Sequence, residues 1–461
     1  MTTSDHDLTI RNGTVVACGG VFTGDIGIRD GRFVTIAPEL PRGDEDIDAS
    51  GLIVAPGAID PHTHFARLSR RSNMQSIDDY ETGTRAALLG GITTIINCAF
   101  QEEGDHLGEA IDREHVLAAD SHIDYSFHVA VTDLSVPGTL KSLETLKDQG
   151  LTSVKTFTSL PPYMLDKPDL IKVLVAAADH GLTVNVHAED HALCSHLTSR
   201  SLSSGRKSVK HFPAARPSVA EALAVREMAV YARATGTTLY FIYLSSRAGI
   251  AEASRARHEG SSVFVETRPL YLFLDDSRYS LPPEEANKYV CLPPLRSLDD
   301  QRALWAGIAN REIDTYATDH VAWNSSQKGL EERPFTEVPA GVANVQTSIG
   351  MLYAEGVVKG RITLQRFVEV VATNPARIFG LWPQKGEIAV GSDADVVLFD
   401  PLKHVEITRE GMASNADFEI FEGHSCVGWP VATIARGDIV SQDGRVSSNP
   451  GRGRFVRRSA L

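Results

Sequence analysis

The sequence has few cysteines, a deficit of basic residues and no long apolar run, and each shortage excludes a class of protein. The five cysteines among 461 residues are an odd number and stand far apart, without a CxxC pair. A disulfide framework or a sulfur-ligated metal site needs paired or regularly spaced cysteines. We therefore expect reduced thiols, typical of a cytoplasmic protein, at Cys18, Cys98, Cys194, Cys291 and Cys426.

Acidic residues outnumber basic ones. Lys and Arg total 45 against 59 Asp and Glu, which gives a formal net charge of −14. This surplus repels the phosphate backbone of nucleic acids and the anionic surface of membranes. The first residues are polar, and no apolar run approaches the eighteen or so residues that span a bilayer. The sequence thus predicts a soluble, unsecreted protein without nucleic-acid or membrane partners.

The chain contains sixteen histidines, and its composition is 42% hydrophobic and 23% charged, as in ordinary globular proteins. Short alternating apolar and polar runs, broken by turn signals, lie at residues 8–54 and return at 386–400 and 426–446. Such alternation is typical of hairpin strands. We expect the two ends to pair into one small β-sandwich domain, with residues 1–55 as its N-terminal part and residues 381–461 as its C-terminal part and tail.

Between these ends, residues 56–380 alternate short β-rich runs with helical patterns, which is typical of parallel βα units. Helices are predicted at 80–89, 168–180 and 218–235, the last with Ser218 and Glu221 at the spacing of a capping box. Eight such units predict an α/β fold, a (β/α)8 TIM barrel, whose active sites lie at the carboxyl ends of the strands. The predicted strands are 57–65, 93–99, 125–131, 152–157, 182–189, 238–246, 262–267 and 314–319.

Polar residues with metal-binding groups lie near the carboxyl ends of three predicted strands. His62 and His64 are two apart in an extended segment, so both imidazoles share one face, as the chelation of one divalent ion requires. His187 and Asp319 end two other strands, and imidazole and carboxylate are both common zinc ligands. The simpler alternatives are a hydrogen-bonded core histidine at His187 and a helix cap at Asp319.

Lys155 lies in an apolar β segment, where an unpaired ammonium is costly. It could form an ion pair with Asp319. It could also react as a neutral amine with carbon dioxide to give a carbamate, N6-carboxylysine, an anion able to bridge two metal ions. The ion pair is the simpler interpretation of the lysine alone, but the metal-binding groups at other strand ends favour the carbamate.

Several long motifs resemble, in the right order, those of the metal-dependent cyclic amidohydrolases. Within that family the resemblance is to the hydantoinase and dihydropyrimidinase branch, with allantoinase and dihydroorotase as more distant relatives. It extends over nearly the whole chain. The motifs are DPHTHF (60–65), IDDYETGTRAALLGGITTII (77–96), VKTF (154–157), VHAED (186–190), LYFIYLSS (239–246), ETRPLYL (266–272), CLPPLR (291–296), IDTYATDH (313–320) and NPARIFGLWPQKGEIAVGSDADVVLFDP (374–401).

The resemblance implies a hydrolase that opens the ring of a cyclic amide, imide or ureide. It implies two divalent ions, usually Zn²⁺, of which one is held by His62, His64 and Asp319. The other would be held by His187 and a sixth-strand histidine, with carboxylated Lys155 as the bridge. Asp319 would take the proton of the attacking water and pass it to the leaving nitrogen. Relatives are commonly tetramers, so the resemblance also implies a homotetramer.

The metal-ligand pattern is broken at one position. Tyr243 stands where relatives carry the sixth-strand histidine. An unperturbed tyrosine has a pKa of about 10 and must be ionised by the metal before it can bind it. We therefore expect one or two ions per chain, with Tyr243 as a weak ligand of the second.

The expected substrate contacts are also less polar than in the family. Leu160 replaces a tyrosine of the hydantoinases, with Tyr163 as a possible substitute three residues on. Leu292, which precedes Pro293, and Ala340 stand where relatives carry polar residues. These five residues predict a substrate pocket suited to a less polar ring.

Three interpretations of the function follow. The first is an active amidohydrolase with an altered substrate. The second is an ordinary dihydropyrimidinase, hydantoinase or allantoinase in which Tyr243 is an isolated or engineered change. The third is a non-catalytic relative with an assembly or regulatory role, as in the collapsin response mediator proteins.

Several basic residues have no clear place in the family pattern. Arg67, Arg70 and Arg71 follow the HxH motif and could bind a substrate carboxylate, but loop or interface charges are the favoured interpretation. Ala66 stands where dihydroorotase keeps an arginine, which disfavours that enzyme. His211 and Arg216 lie in the long connection between the fifth and sixth strands. We interpret this connection as a substrate-covering segment or a subunit contact.

Overall fold

The computed structural model describes residues 5–459, so residues 1–4 and 460–461 of the predicted end segments lie outside the described residues. The strands, in chain order, are β1 Leu8–Ala17, β2 Gly20–Arg29, β3 Arg32–Ala37, β4 Glu45–Asp48, β5 Ile53–Pro56, β6 Ala58–Thr63, β7 Leu68–Ser69, β8 Met74–Gln75, β9 Ile92–Phe100, β10 Asp124–Ala130, β11 Ser153–Phe157, β12 Thr183–His187, β13 Thr238–Phe241, β14 Val263–Thr267, β15 Thr315–Tyr316, β16 Val396–Glu406, β17 Ser425–Ala435, β18 Asp438–Gln442 and β19 Arg445–Val446.

The α-helices are α1 Tyr80–Leu89, α2 Leu107–Leu117, α3 Thr139–Ser142, α4 Lys167–Asp179, α5 His191–Ser203, α6 Phe212–Ala215, α7 Ser218–Thr235, α8 Arg247–His258, α9 Pro269–Phe273, α10 Pro283–Ala286, α11 Leu298–Ala309, α12 Ser325–Lys328, α13 Val345–Leu352, α14 Leu364–Val368 and α15 Asn374–Phe379. Two π-helical turns, Tyr353–Val358 and Glu369–Thr373, follow α13 and α14. Within residues 5–459, no helix is both long and apolar enough to cross a membrane.

A parallel sheet of eight strands forms the barrel, in the order β15, β14, β13, β12, β11, β10, β9, β6. Every residue of β9 is buried, as expected of a parallel strand covered on both faces. The sheet closes where Thr63 and His320 form a parallel bridge. Across this seam the Asp319 amide donates to the His62 carbonyl at 2.8 Å, and the His64 amide donates to the His320 carbonyl at 3.0 Å. All eight predicted strands are present, and the predicted TIM barrel is confirmed.

Strands from both ends of the chain form a second sheet, in the order β19, β18, β17, β16, β5, β1, β2, β3, with β4 beside β1. Its apolar face includes Ile26 and Phe33 from the N-terminal strands and Val396 and Ile434 from the C-terminal ones. The predicted pairing of the two ends is therefore confirmed. The exact domain boundaries at 55/56 and 380/381 stay a prediction.

One expected local motif is wrong. Helix α7 has the predicted bounds, but Pro217 is its N-cap and no side chain caps it. Glu221 is fully buried instead, and its carboxylate accepts hydrogen bonds from the backbone and hydroxyls of Ser245 and Ser246. A tertiary contact therefore replaces the predicted capping box between Ser218 and Glu221.

A buried lysine connects the two sheets. The ammonium of Lys385 lies 2.9 Å from Asp124 at the start of β10, 3.2 Å from Asp393 and 2.7 Å from Asp395, just before β16. Burial alone would lower the pKa of Lys385, but the three carboxylates hold it above its usual range. This lysine therefore contacts carboxylates from both sheets, and Arg436 pairs with Asp124 beside it.

We expect Lys385→Met to destabilise the protein by about 3 to 5 kcal/mol, because breaking a buried ion pair leaves uncompensated buried charge. The measurement is chemical denaturation followed by circular dichroism. The matched control is Lys172→Met, in an ion pair whose lysine side chain is 58% exposed, with an expected change within about 0.5 kcal/mol. Equal stability of the two variants would contradict the structural role of Lys385.

Candidate metal centre

Four side chains meet at the carboxyl end of the barrel. The Nε2 atoms of His62 and His64 lie 3.4 and 3.2 Å from Asp319 Oδ1. Lys155 Nζ lies 2.8 Å from His62 Nε2 and 3.3 Å from His64 Nε2. Ligands about 2.0 to 2.1 Å from a tetrahedral zinc ion would lie about 3.3 Å apart. Both distances between a histidine and Asp319 therefore match those of ligands on one zinc-like ion, and all three donor atoms lie within 4.8 Å of one another.

The surrounding structure fixes the ligands in this orientation. Glu266, at the end of β14, lies 2.8 Å from His62 Nδ1, so Nε2 points to the common centre. Asp60 accepts hydrogen bonds from the His62 amide at 3.1 Å and the Thr318 hydroxyl at 2.5 Å, which ties the first ligand segment to the last. Asp319 itself has φ +49°, a conformation that costs energy in a non-glycine residue and is common at functional sites.

The electrostatics favour the ligand forms of these groups. Burial, reinforced by the charge of Lys155, lowers the pKa of His62 and His64, which keeps both imidazoles neutral. Burial alone would raise the pKa of Asp319, but the Arg268 guanidinium and the two histidines hold it well below its usual range. Burial also lowers the pKa of Lys155, which favours the neutral amine. A divalent ion thus fits the donor set of two imidazoles and one carboxylate.

His187 and Tyr243 are beside this centre but form a separate contact. His187 Nδ1 lies 2.7 Å from the Tyr243 hydroxyl, and the Tyr243 ring stacks on the His62 ring with centres 5.1 Å apart. His187 is not part of the ligand group, which comprises His62, His64 and Asp319 within residues 5–459. Tyr243 has φ +39°, a second strained residue at a strand end.

A cavity of about 380 Å³ opens above the centre. Lys155, Asp319 and Tyr243 lie on its wall, together with most of the predicted substrate contacts. Pro293 is not among the lining residues, and its carbonyl accepts a hydrogen bond from Tyr271 at 2.7 Å. The apolar part of the wall is made by Met74, Phe100, Phe157, Leu160, Tyr163, Leu292, Val321, Trp323, Val338 and Ala340.

The amidohydrolase family profile matches residues 53–440. The chain belongs to the amidohydrolase family. It is 35% identical to a D-hydantoinase of Ralstonia pickettii, over 98% of this chain and 99% of that protein. It is 36% identical to a D-phenylhydantoinase of Escherichia coli strain SE11, over 97% of each chain. The crystal structure of dihydropyrimidinase from Brevibacillus agri superposes with a TM-score of 0.95 at 36% identity, over 98% of this chain and 99% of that one. The predicted hydantoinase and dihydropyrimidinase branch is therefore confirmed.

The loop after the HxH motif forms part of the wall of this amidohydrolase's cavity. Arg67 and Arg71 lie in this loop and line the cavity, and their binding to a substrate carboxylate stays a prediction. The Arg67 guanidinium lies 3.2 Å from the centre of the Phe100 ring. The backbone amide of Arg70 donates to the Tyr163 hydroxyl at 2.7 Å.

Two arginines of the amidohydrolase centre have contacts that sequence reasoning missed. Arg216 was expected in a substrate cover or subunit contact, but it is buried and binds the fully buried Glu189 beside His187. Arg268 is fully buried and pairs with Asp319 Oδ2. The available signal for Arg268 was its place directly after a predicted strand, before the apolar run PLYL. His211 ends the turn Val209–His211 and is not a cavity-lining residue.

Proposed function

We propose that this amidohydrolase opens the ring of a cyclic amide, imide or ureide by metal-dependent hydrolysis, in a pocket altered from that of hydantoinases. The observation that carries the proposal is the convergence of His62, His64, Asp319 and Lys155 at the wall of a cavity large enough for a small ring. The names of its relatives, D-hydantoinase and dihydropyrimidinase, support the same reaction class.

The ion would be Zn²⁺, held by His62, His64 and Asp319, with one firmly bound ion per chain. A divalent ion held there would lower the pKa of a water molecule and polarise the amide carbonyl. Glu266 would keep the His62 ring in its binding orientation, because its carboxylate faces the opposite ring nitrogen at 2.8 Å.

The ammonium form of Lys155 is incompatible with a metal ion at this centre, because its Nζ lies within 3.3 Å of Nε2 of both histidines. A cation at that position would repel a divalent ion. Attack of the neutral amine on carbon dioxide forms an N–C bond and releases one proton, giving an anionic carbamate in place of the cation. Burial favours the neutral amine that this step requires. We therefore propose that Lys155 is N6-carboxylysine in the active protein.

Asp319 would accept the proton of the attacking water and deliver it to the leaving ring nitrogen. Its Oδ1 faces both histidines, and its low pKa keeps it in the ionised form that has a lone pair for the proton. Asp319 also lines the cavity, which gives it access to the reacting atoms. Lys155 and Asp319 are thus the proposed catalytic residues.

The wall above the centre favours a ring with an apolar substituent. Phe157, Leu160 and Tyr163 pack in one apolar cluster, with Leu292 beside it. The Tyr163 hydroxyl accepts a hydrogen bond from the Arg70 amide, which leaves its proton available for a substrate oxygen. We propose that the Tyr163 hydroxyl donates a hydrogen bond to a substrate oxygen, the contact expected of the tyrosine that Leu160 replaces. The predicted homotetramer and cytoplasmic location stay predictions.

We expect the zinc-loaded protein to open 5-phenylhydantoin faster than unsubstituted hydantoin or dihydrouracil, because the apolar wall stabilises the aryl group. Appearance of the N-carbamoyl acid is measured by liquid chromatography, with chelator-treated protein as the control. Faster turnover of the unsubstituted rings would contradict the proposed preference for an apolar substituent. No turnover of any cyclic amide or imide by metal-loaded protein would favour a non-catalytic relative.

We expect Lys155→Ala to lose most metal and at least about 100-fold in kcat/KM, because it removes an anionic ligand and a proposed catalytic group. Addition of a short carboxylic acid should restore part of both. Metal content and turnover are measured together, with Lys141→Ala on exposed surface as the control. Full metal content with normal turnover would contradict the carbamate.

We expect Asp319→Asn to retain metal but to lose about 100- to 10,000-fold in kcat, because the amide offers an oxygen ligand but cannot accept a proton. The measurements are single-turnover rates and metal analysis. Asp299→Asn, at a side chain that is 74% exposed, is the matched control. An Asp319→Asn protein within tenfold of the parent would show that another group moves the proton.

A further inference from the structure

Both ring nitrogens of His187 are engaged by protein groups. Nε2 lies 3.0 Å from Glu189 Oε2 and 3.0 Å from the Ser159 hydroxyl. A carboxylate can only accept a hydrogen bond, so Nε2 carries the proton and donates it. Nδ1 then carries the lone pair of the neutral ring, and it accepts a hydrogen bond from the Tyr243 hydroxyl, 2.7 Å away. The only lone pair that His187 could offer a metal is therefore covered by Tyr243.

An ion pair holds this arrangement in place. Arg216 Nε lies 3.1 Å from each oxygen of Glu189, and Arg216 Nη2 lies 3.2 Å from the Ser159 hydroxyl. Glu189 is fully buried and its charge is balanced by the arginine. Arg216, Glu189, His187 and Tyr243 thus form one continuous chain of hydrogen bonds, which needs no ion to satisfy its buried polar groups.

A second buried arginine lies on the other side of Tyr243. The Arg268 guanidinium is 5.4 Å from the centre of the Tyr243 ring and 4.7 Å from that of Tyr271. It pairs with Asp319 Oδ2, while Asp319 Oδ1 faces His62 and His64. A permanent positive charge therefore already occupies the side of Asp319 that faces away from the histidine ligands.

We propose that the centre is built for one metal ion, and that Arg268 and Tyr243 together replace the second ion of a two-metal amidohydrolase. Tyr243 covers the lone pair of His187, and Arg268 supplies a fixed positive charge next to Asp319. Arg268 acts as a positioning residue, because its contact with Oδ2 turns Oδ1 toward the first site. This inference rests on the proposed function only in requiring that the first ion binds.

The proposal distinguishes the two substitutions. A second dication must displace the Tyr243 proton and also approach the Arg268 guanidinium, so removing either obstacle alone is insufficient. Tyr243→His would restore an imidazole ligand but would leave the positive charge. Arg268→Gln would remove the charge and keep a hydrogen-bond donor for Asp319, but would leave His187 covered.

The test is the metal content of five proteins after loading with excess Zn²⁺ and removal of free metal by gel filtration. We expect one ion per chain in the unmodified protein, in Tyr243→His and in Arg268→Gln, and two in the double variant. Arg302→Gln, at a side chain that is 70% exposed, is the control and should hold one. Two ions in the unmodified protein or in either single variant would overturn the proposal, as would one ion in a folded double variant.

Titration of the metal-free unmodified protein with Co²⁺ tests the proposal without any substitution. The visible ligand-field absorbance should rise to a single break at one equivalent, and a break at two equivalents would overturn the inference while leaving the proposed hydrolysis intact. No bound Zn²⁺ or Co²⁺ at all would instead contradict the proposed function and the inference with it. If the double variant fails to fold, this titration decides the matter.

Discussion

Closure of the barrel is the constraint on which the rest of the site depends. Two backbone hydrogen bonds join the first and last strand segments, from Asp319 to His62 and from His64 to His320. These bonds bring a carboxylate from the last strand segment and two imidazoles from the first strand segment within ligand distance of one another. The Asp60 carboxylate stabilises the same closure, because it accepts hydrogen bonds from His62 on the first strand and from Thr318 beside the last strand.

The seam also explains how charge is arranged around the ligands. The two buried imidazoles are neutral and the Asp319 carboxylate is ionised, so the ligand group carries a net negative charge. Arg268 balances part of this charge through its ion pair with Asp319. On the other side of Tyr243, Arg216 and Glu189 neutralise each other. Charge at the active end of this barrel is therefore balanced by a combination of fixed guanidinium groups and a metal site.

The sequence predicted features that depend on local pattern. The eight strands followed from apolar runs that end in polar residues. His62 and His64 were recognised by their spacing in an extended segment, Asp319 by its place at a strand end, and Lys155 by the cost of an unpaired ammonium in an apolar strand. Features set by distant partners were missed: the Glu221 carboxylate was assigned to its own helix, whereas two serines from the next strand end bind it. Arg268 is a single arginine without periodicity, and only the closed barrel shows that it faces Asp319.

The order of strands in the second sheet has a consequence for folding during translation. Strand β5 pairs with β16, so the N-terminal strands lack their neighbour until the whole barrel has been synthesised. During translation the edge of β5 and the apolar face around Val54 are unpaired while the intervening residues emerge from the ribosome. A chaperone that shields an exposed strand edge would thus be most useful for the first segment made and least useful for the last.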